Sequence, residues 1–126
     1  MNGVTLWVTL TEIMEAAKAR WGISQDTVLL PFTRGRRTKI DGRAQKYPAA
    51  IRLRLHRFHR PNQALATSTV MATLAHEIAH LTKGCWDHGP AHRVKTREVA
   101  EWIRGLGYPV STRLFRGSFP RKRKRA

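Results

Sequence analysis

The chain of 126 residues is long enough for one small domain and leaves little room for a second. Its hydrophobic fraction of 41% suffices for a modest core, and no apolar run approaches the roughly 18–20 residues of a membrane span. The formal net charge is +16 at pH 7, because 24 lysine and arginine residues outnumber 8 aspartate and glutamate residues.

The cysteine content bounds the chemistry further. The single cysteine, Cys85, excludes an internal disulfide, and it excludes the zinc modules that use two or more cysteine ligands. The N-terminal residues lack a basic region followed by a long apolar stretch, so we expect no signal peptide. With so little cysteine, we expect a reducing compartment, the cytoplasm, or the nucleus if the source is a eukaryote. In either compartment we expect the protein to associate with DNA.

The positive charge is concentrated in two parts of the chain. Residues 34–60 contain ten basic residues and one acidic residue, and residues 121–126 contain five basic residues. Such an excess predicts a polyanionic partner, and we expect DNA, bound through its phosphates without sequence preference. The residues expected to contact DNA are Arg34, Arg36, Arg37, Lys39, Arg43, Arg52, Arg54, Arg121, Lys122, Arg123, Lys124 and Arg125.

The first half of the chain predicts a helix followed by short strands. Thr9 and Glu12 form a capping box, apolar residues then recur at helical spacing, and Gly22 supplies a stop, which predicts a helix over 10–21. The apolar residues 28–30, before a proline, indicate a short strand. The basic, glycine-containing segment 33–48 indicates a loop or hairpin.

A clear alternation follows this segment. Ile51, Leu53 and Leu55 alternate with basic residues, which predicts a strand with one buried face and one basic face. A long helix is then predicted over 63–83, ending at Gly84. Its apolar stripe consists of Val70, Leu74, Ile78 and Leu81.

The last helix is predicted to start at Gly89-Pro90 and to end at Gly105, and a final short strand or packed coil is predicted over 108–120. The whole order indicates a small α+β domain: an N-terminal helix, a short antiparallel or mixed sheet, and two helices. We expect this domain to span 1–115 and a basic, disordered tail to span 116–126. The expected buried face of the last helix comprises Val94, Val99, Trp102, Ile103 and Leu106.

The motif His76-Glu77-Ile78-Ala79-His80 lies inside the second predicted helix. Because residues i and i+4 project from the same face of a helix, both imidazoles can reach one ion. Glu77 is displaced around the helix, where its carboxylate can contact a metal-bound water without being a ligand. This pattern is typical of zinc-dependent hydrolysis, with Glu77 as the general base.

A catalytic zinc site needs three protein ligands and one open position, so a third ligand must follow the motif. The metzincin pattern is absent, because Lys83 and Trp86 stand where that class has glycine and histidine. His88 is the preferred candidate, since it lies in a loop that can fold back onto the second helix. The alternatives are Asp87, His92, Glu98 and Glu101.

The run His76-Glu77-Ile78-Ala79-His80-Leu81 and the later Asp87-His88-Gly89-Pro90 resemble the SprT-like (Spartan-type) zinc metallopeptidase domain in a minimal form. The resemblance covers about residues 10–106 and is strongest over 70–92. It implies a zincin-like fold, Zn²⁺ bound by His76, His80 and His88, and a zinc-bound water activated by Glu77. It also implies an endopeptidase that acts on DNA-associated or DNA-crosslinked proteins.

Two features depart from that family. His92 stands three residues after Gly89, where family members usually carry a bulky aromatic residue, and we expect it to pack behind the site. One cysteine cannot form the zinc ribbon that many bacterial members append, so the basic segments would bind DNA in its place. The sequence leaves two other functions open, a nucleic-acid-binding module with a structural four-ligand zinc and a small metallopeptidase with no DNA role. We expect a monomer in each case, and no membrane partner.

Overall fold

The computed structural model describes residues 2–31, 42–56 and 63–112. It confirms the α+β class, with three helices and a three-stranded mixed sheet in the described residues. None of these helices is long and apolar enough to cross a membrane. The elements are α1 (Gly3–Trp21), β1 (Val28–Pro31), β2 (Gly42–Lys46), β3 (Ala49–Leu53), α2 (Thr67–His80) and α3 (Pro90–Gly105).

Helix α1 begins about two turns earlier than the sequence predicts. Its N-cap is Asn2, whose side-chain oxygen accepts a hydrogen bond from the backbone N–H of Thr5 at 2.8 Å. The predicted cap, Thr9, is buried within the helix, because Leu6 extends the apolar face by one further turn. The predicted end is confirmed, since Gly22 adopts the left-handed conformation at φ 65°.

The sheet has the strand order β1-β3-β2, with β1 parallel and β2 antiparallel to the central β3. In β3, Ile51 and Leu53 are fully buried and Arg52 is half-buried, which confirms the predicted alternation. Strand β2 lies inside the segment predicted as a loop or hairpin, and it forms the hairpin with β3 through a turn at Tyr47-Pro48. Within the described residues β2 is an edge strand.

Helix α2 is shorter than the predicted 63–83 and is buried on almost every side. It packs against α1, α3 and the two strands of the hairpin. Burial therefore extends well beyond the predicted apolar stripe, because the small side chains of Ala72, Ala75 and Ala79 let neighbouring elements approach closely.

The buried face of α3 also differs from the prediction. Val94 and Leu106 are 66% and 48% exposed, whereas the polar residues His92 and Thr96 are buried. Hydrogen bonds satisfy both polar side chains, which removes most of the cost of their burial. Residues 108–112 form no strand, and the rest of the predicted final element, the expected domain end at 115 and the tail lie outside the described residues.

Candidate metal centre

Three histidine side chains converge at the end of α2. The Nε2 atom of His88 lies 3.2 Å from Nε2 of His76 and 2.9 Å from Nε2 of His80. His76 and His80 occupy successive turns of one helix face, and His88 reaches them from the loop that precedes α3. The structure thus brings together the two motif histidines and the preferred third candidate.

These contacts cannot all be hydrogen bonds. An imidazole nitrogen carries either one hydrogen or one lone pair, so His88 Nε2 can complete only one of its two contacts in that way. Burial, reinforced by the neighbouring imidazoles, lowers the pKa of His76 to about 3 and that of His80 to about 4. Both rings are neutral at pH 7, and their lone pairs are available to a metal ion.

The spacing of the nitrogens fits a tetrahedral ion. Two nitrogens bound to one Zn²⁺ at the usual bond length lie about 3.3 Å apart, close to both separations at His88. A set of three imidazole donors with no cysteine is also the ligand type that divalent zinc accepts. The residues therefore fit the group that the sequence predicts.

His92 is the fourth histidine of the cluster. One ring nitrogen from each of His76, His80 and His92 lies within 4.8 Å of the others, so distance alone admits His92 as a ligand. Its Nε2 atom, however, donates to the backbone carbonyl of His76 at 3.0 Å. Its ring stacks on that of His80, with centroids 3.8 Å and planes 17° apart.

Ring orientation separates His92 from His88. A metal ion lies close to the plane of each imidazole that binds it, and two stacked, nearly parallel rings share no such position. The rings of His80 and His88 cross at 80° and those of His76 and His88 at 32°, so neither pair is stacked as His80 and His92 are. The contacts of His92 are those of a residue that orients His76 and His80.

The acidic alternatives lie elsewhere on α3. Glu98 pairs with Lys95 at 2.8 Å and Glu101 pairs with Arg104 at 2.7 Å, both on the exposed side of the helix. Both carboxylates therefore form salt bridges with basic residues of their own helix. Asp87 is exposed in the loop before α3. Glu77 is the carboxylate that the structure places beside the cluster, with Oε1 4.0 Å from His80 Nε2.

Glu77 is 4% exposed, and its Oε1 lies 4.0 Å from Nε2 of His80. Burial raises the pKa of this carboxyl to about 7, against the opposing effect of a hydrogen bond from the backbone N–H of Ala44. A carboxyl group with a pKa near neutrality can both take and return a proton at pH 7. Its placement beside the nitrogens, rather than among them, agrees with the predicted role of a general base.

The sequence did not predict the contribution of β2 to this site. Besides the N–H of Ala44, the backbone at Gly42 passes directly over the side chains of Thr73 and Glu77. A Cβ atom added at Gly42 would overlap Thr73 Cγ2 and lie 3.1 Å from Glu77 Cγ. Gly42 itself was the available sequence signal, because a glycine inside a strand often marks a close approach by another part of the chain.

Replacing Gly42 by alanine is therefore expected to destabilise the protein by about 1–3 kcal/mol, since the new methyl group overpacks the α2–β2 contact. Urea unfolding of the zinc-free protein measures this loss. Gly105→Ala, where nothing lies within 4 Å of the new Cβ, is the matched control and should keep or raise stability. Equal stability of the two variants would contradict the close approach of β2.

The outer side of His80 contacts the loop after α2. Its Nδ1 atom is buried without a well-directed hydrogen bond, although backbone groups of Cys85 and Trp86 are near enough to favour the protonated ring. The ring of Trp86 lies 5.9 Å from that of His80, and the ammonium group of Lys46 lies 4.6 Å from the Trp86 ring centroid. This loop and β2 therefore meet beside the cluster.

Of the expected DNA contacts, three lie in the described residues. Arg43 on β2 is directly opposite Arg52 on the neighbouring strand, so the two side chains share one face of the sheet, and Arg54 follows β3. Arg43 is exposed, and Arg52 and Arg54 are half-buried. The remaining candidates, Arg34, Arg36, Arg37, Lys39, Arg121, Lys122, Arg123, Lys124 and Arg125, lie outside the described residues.

Comparison with known proteins adds no assignment: the chain matches no protein-family model, and no curated protein or solved structure shows significant similarity to it.

Proposed function

We propose that this protein is a zinc-dependent endopeptidase that acts on DNA-associated proteins, with zinc held by His76, His80 and His88. The observation that carries the proposal is the convergence of three imidazole nitrogens beside the buried carboxyl group of Glu77. The motif resemblance to SprT-like metallopeptidases supports the same reading. His92 then acts as a positioning residue, through its hydrogen bond to His76 and its stacking on His80.

When bound, zinc supplies a Lewis acid that acidifies water and polarises a carbonyl group. The remaining chemistry belongs to Glu77. Its carboxylate takes a proton from the attacking water and delivers it to the leaving amine. The N–H of Ala44 holds the carboxylate in place and favours its ionised form during the first of these transfers.

Strand β2 offers a route for the substrate. Its outer edge has no strand partner among the described residues, and it passes over Glu77. An extended peptide can add to such an edge through main-chain hydrogen bonds, which bind many sequences because they do not involve side chains. This arrangement would suit an enzyme that selects substrates by their location on DNA.

The pairing of Arg43 with Arg52 supports the DNA role. Like charges directly opposite on adjacent strands destabilise a sheet, and a phosphate between them would relieve the repulsion. Phosphate contacts of this kind give sequence-independent affinity that falls steeply with salt. Binding to DNA would thus concentrate the enzyme on proteins carried by the same DNA.

The test is zinc-dependent cleavage of a protein bound to duplex DNA. We expect EDTA to stop cleavage, Zn²⁺ to restore it, and added salt to remove the advantage of DNA-bound over free substrate before it slows cleavage of a free peptide. The double variant Arg43→Gln/Arg52→Gln should lower DNA affinity, and the slope of log affinity against log salt should fall by about 1 per arginine.

Arg20→Gln/Lys95→Gln is the matched control, since it removes the same charge from the helices. If added DNA does not change the cleavage rate, the protein is a metallopeptidase with no DNA role. Zinc binding without any cleavage would favour the nucleic-acid-binding module.

A further inference from the structure

A pocket of about 320 Å³ opens directly beside the histidine cluster. His80 and Trp86 form one wall, so a group bound there is held next to the proposed metal. The other walls come from the loop after α1 and from the turn between β2 and β3. Those segments contribute Ser24, Thr27 and Lys46.

One residue that lines this pocket, and also a second pocket beside α1, carries an unsatisfied polar group. Thr27 is 2% exposed, and its Oγ1 atom has no hydrogen-bond partner. Leaving a buried hydroxyl unpaired is costly, and such a group in a native structure calls for an explanation. Ser24, in the same wall, accepts a hydrogen bond from the N–H of Asp26, which leaves its own hydrogen free to donate. The pocket therefore offers two hydroxyl donors.

The charge of the lining is entirely positive. Lys46 and Lys83 line the pocket, and no carboxylate does so among the described residues. Neither lysine forms a salt bridge with a carboxylate in the part of the chain that the structure describes, and the ammonium of Lys46 lies over Trp86 instead. Two hydroxyl donors with two unpaired ammonium groups are a set suited to an anion.

We propose that this pocket binds the carboxylate side chain of an aspartate or glutamate of the protein substrate, adjacent to the bond that is cleaved. The proposal rests on the proposed function and names a substrate preference for it. A carboxylate side chain is small enough for a pocket of about 320 Å³, whereas a DNA duplex is far too wide to enter it. The volume lies at the lower end of those that hold small ligands, with room for such a side chain.

The primary test compares two peptides that differ only by glutamate or glutamine at one position beside the cleaved bond, the position being scanned through the peptide. At one position, kcat/KM of the zinc-loaded full chain should be about tenfold higher for the glutamate peptide. Thr27→Val and Lys83→Met should each bring the two peptides to within about twofold. Lys95→Met, which removes a lysine outside the pocket, should keep the preference.

A binding measurement tests the preference of the pocket for a carboxylate without requiring cleavage. Zinc-loaded Glu77→Gln should bind the glutamate peptide more tightly than the glutamine peptide in calorimetry, and Thr27→Val in that background should abolish the difference. If the wild type cleaves peptides but shows no preference in either assay, the pocket proposal is wrong and the proposed function stands. If nothing is cleaved while the binding preference is present, the proposed function is wrong and the anion pocket stands.

A separate measurement tests whether the pocket binds nucleic acid instead of a peptide carboxylate. Affinity for a single-stranded oligothymidylate should be unaffected by Thr27→Val, because that hydroxyl is buried. Loss of oligonucleotide affinity in this variant, together with equal binding of the two peptides, would assign the pocket to DNA and overturn the proposal.

Discussion

Replacing Glu77 by glutamine is expected to lower peptide cleavage by about 10³-fold or more while zinc remains bound with nearly unchanged affinity. The carboxyl group lies beside the histidine nitrogens and is not one of the three that converge, so the ligand set survives the change. The amide oxygen of glutamine can still accept the hydrogen bond from Ala44, which preserves the local geometry. What is lost is the proton acceptor itself.

The Glu77→Gln variant should also differ from the wild type in the pH dependence of its free energy of unfolding. The unfolded carboxyl titrates near 4.5 and the folded one near 7, so the folded wild type binds the proton more tightly and loses stability as pH rises from about 4.5 to 7. Glutamine carries no such cost. Zinc-free Glu77→Gln should therefore exceed the wild type by about 3 kcal/mol at pH 8, and the difference should vanish toward pH 4.

Urea unfolding at several pH values measures this difference, and elemental analysis measures the bound zinc. Glu98→Gln is the matched control, because Glu98 is exposed and pairs with Lys95, so both its cleavage rate and its zinc content should match the wild type. Equal cleavage by wild type and Glu77→Gln would rule out the proposed enzyme.

Replacing His88 by alanine is expected to weaken zinc binding by about 100-fold or more, because one of three donors disappears. His88 is exposed in the loop before α3, so the fold of the zinc-free variant should be unchanged. Competition with a zinc-chelating dye measures the affinity. Cleavage should fall in parallel, since the remaining two histidines cannot retain the ion.

His92→Gln is the comparison that separates the two candidate third ligands. A glutamine amide can reproduce the hydrogen bond from His92 Nε2 to the carbonyl of His76, but it removes the second ring nitrogen. We expect its zinc affinity to fall by no more than about tenfold, as for a residue that supports a ligand. A larger loss in His92→Gln than in His88→Ala would make His92 the third ligand.

The sequence predicts the site better than its surroundings. Once a helix forms, the four-residue spacing of His76 and His80 makes their side chains project from the same face, because helix geometry is local. The ends of α1 and α3 at glycines were likewise local signals. The start of α1 was missed because the capping box at Thr9 competes with a cap at Asn2, and the buried Leu6 decides between them through tertiary packing.

Other features depend on contacts that no local pattern encodes. The burial of His92 requires an acceptor on α2, the carbonyl of His76, which lies sixteen residues earlier in the chain. The buried Thr96 hydroxyl, by contrast, donates to the carbonyl of His92 within its own helix. The approach of Gly42 to Glu77, like the burial of His92, is not local, since it joins a strand and a helix through the sheet. Hydrophobic periodicity therefore places Val94 in the core, although it is exposed in the structure. The same periodicity carries no information about the burial of His92, because histidine is not part of an apolar pattern.

The charges on strand β2 have a consequence for encounters between two copies of this protein. The edge that would receive a substrate peptide carries Arg43 and Lys46, both exposed. A second copy that presents the same basic strand to this edge brings like charges into register, which disfavours pairing. The net charge of +16 on each molecule adds a longer-range repulsion that is strongest at low salt. We therefore expect two copies to avoid pairing through this edge, and added salt to weaken the repulsion between them.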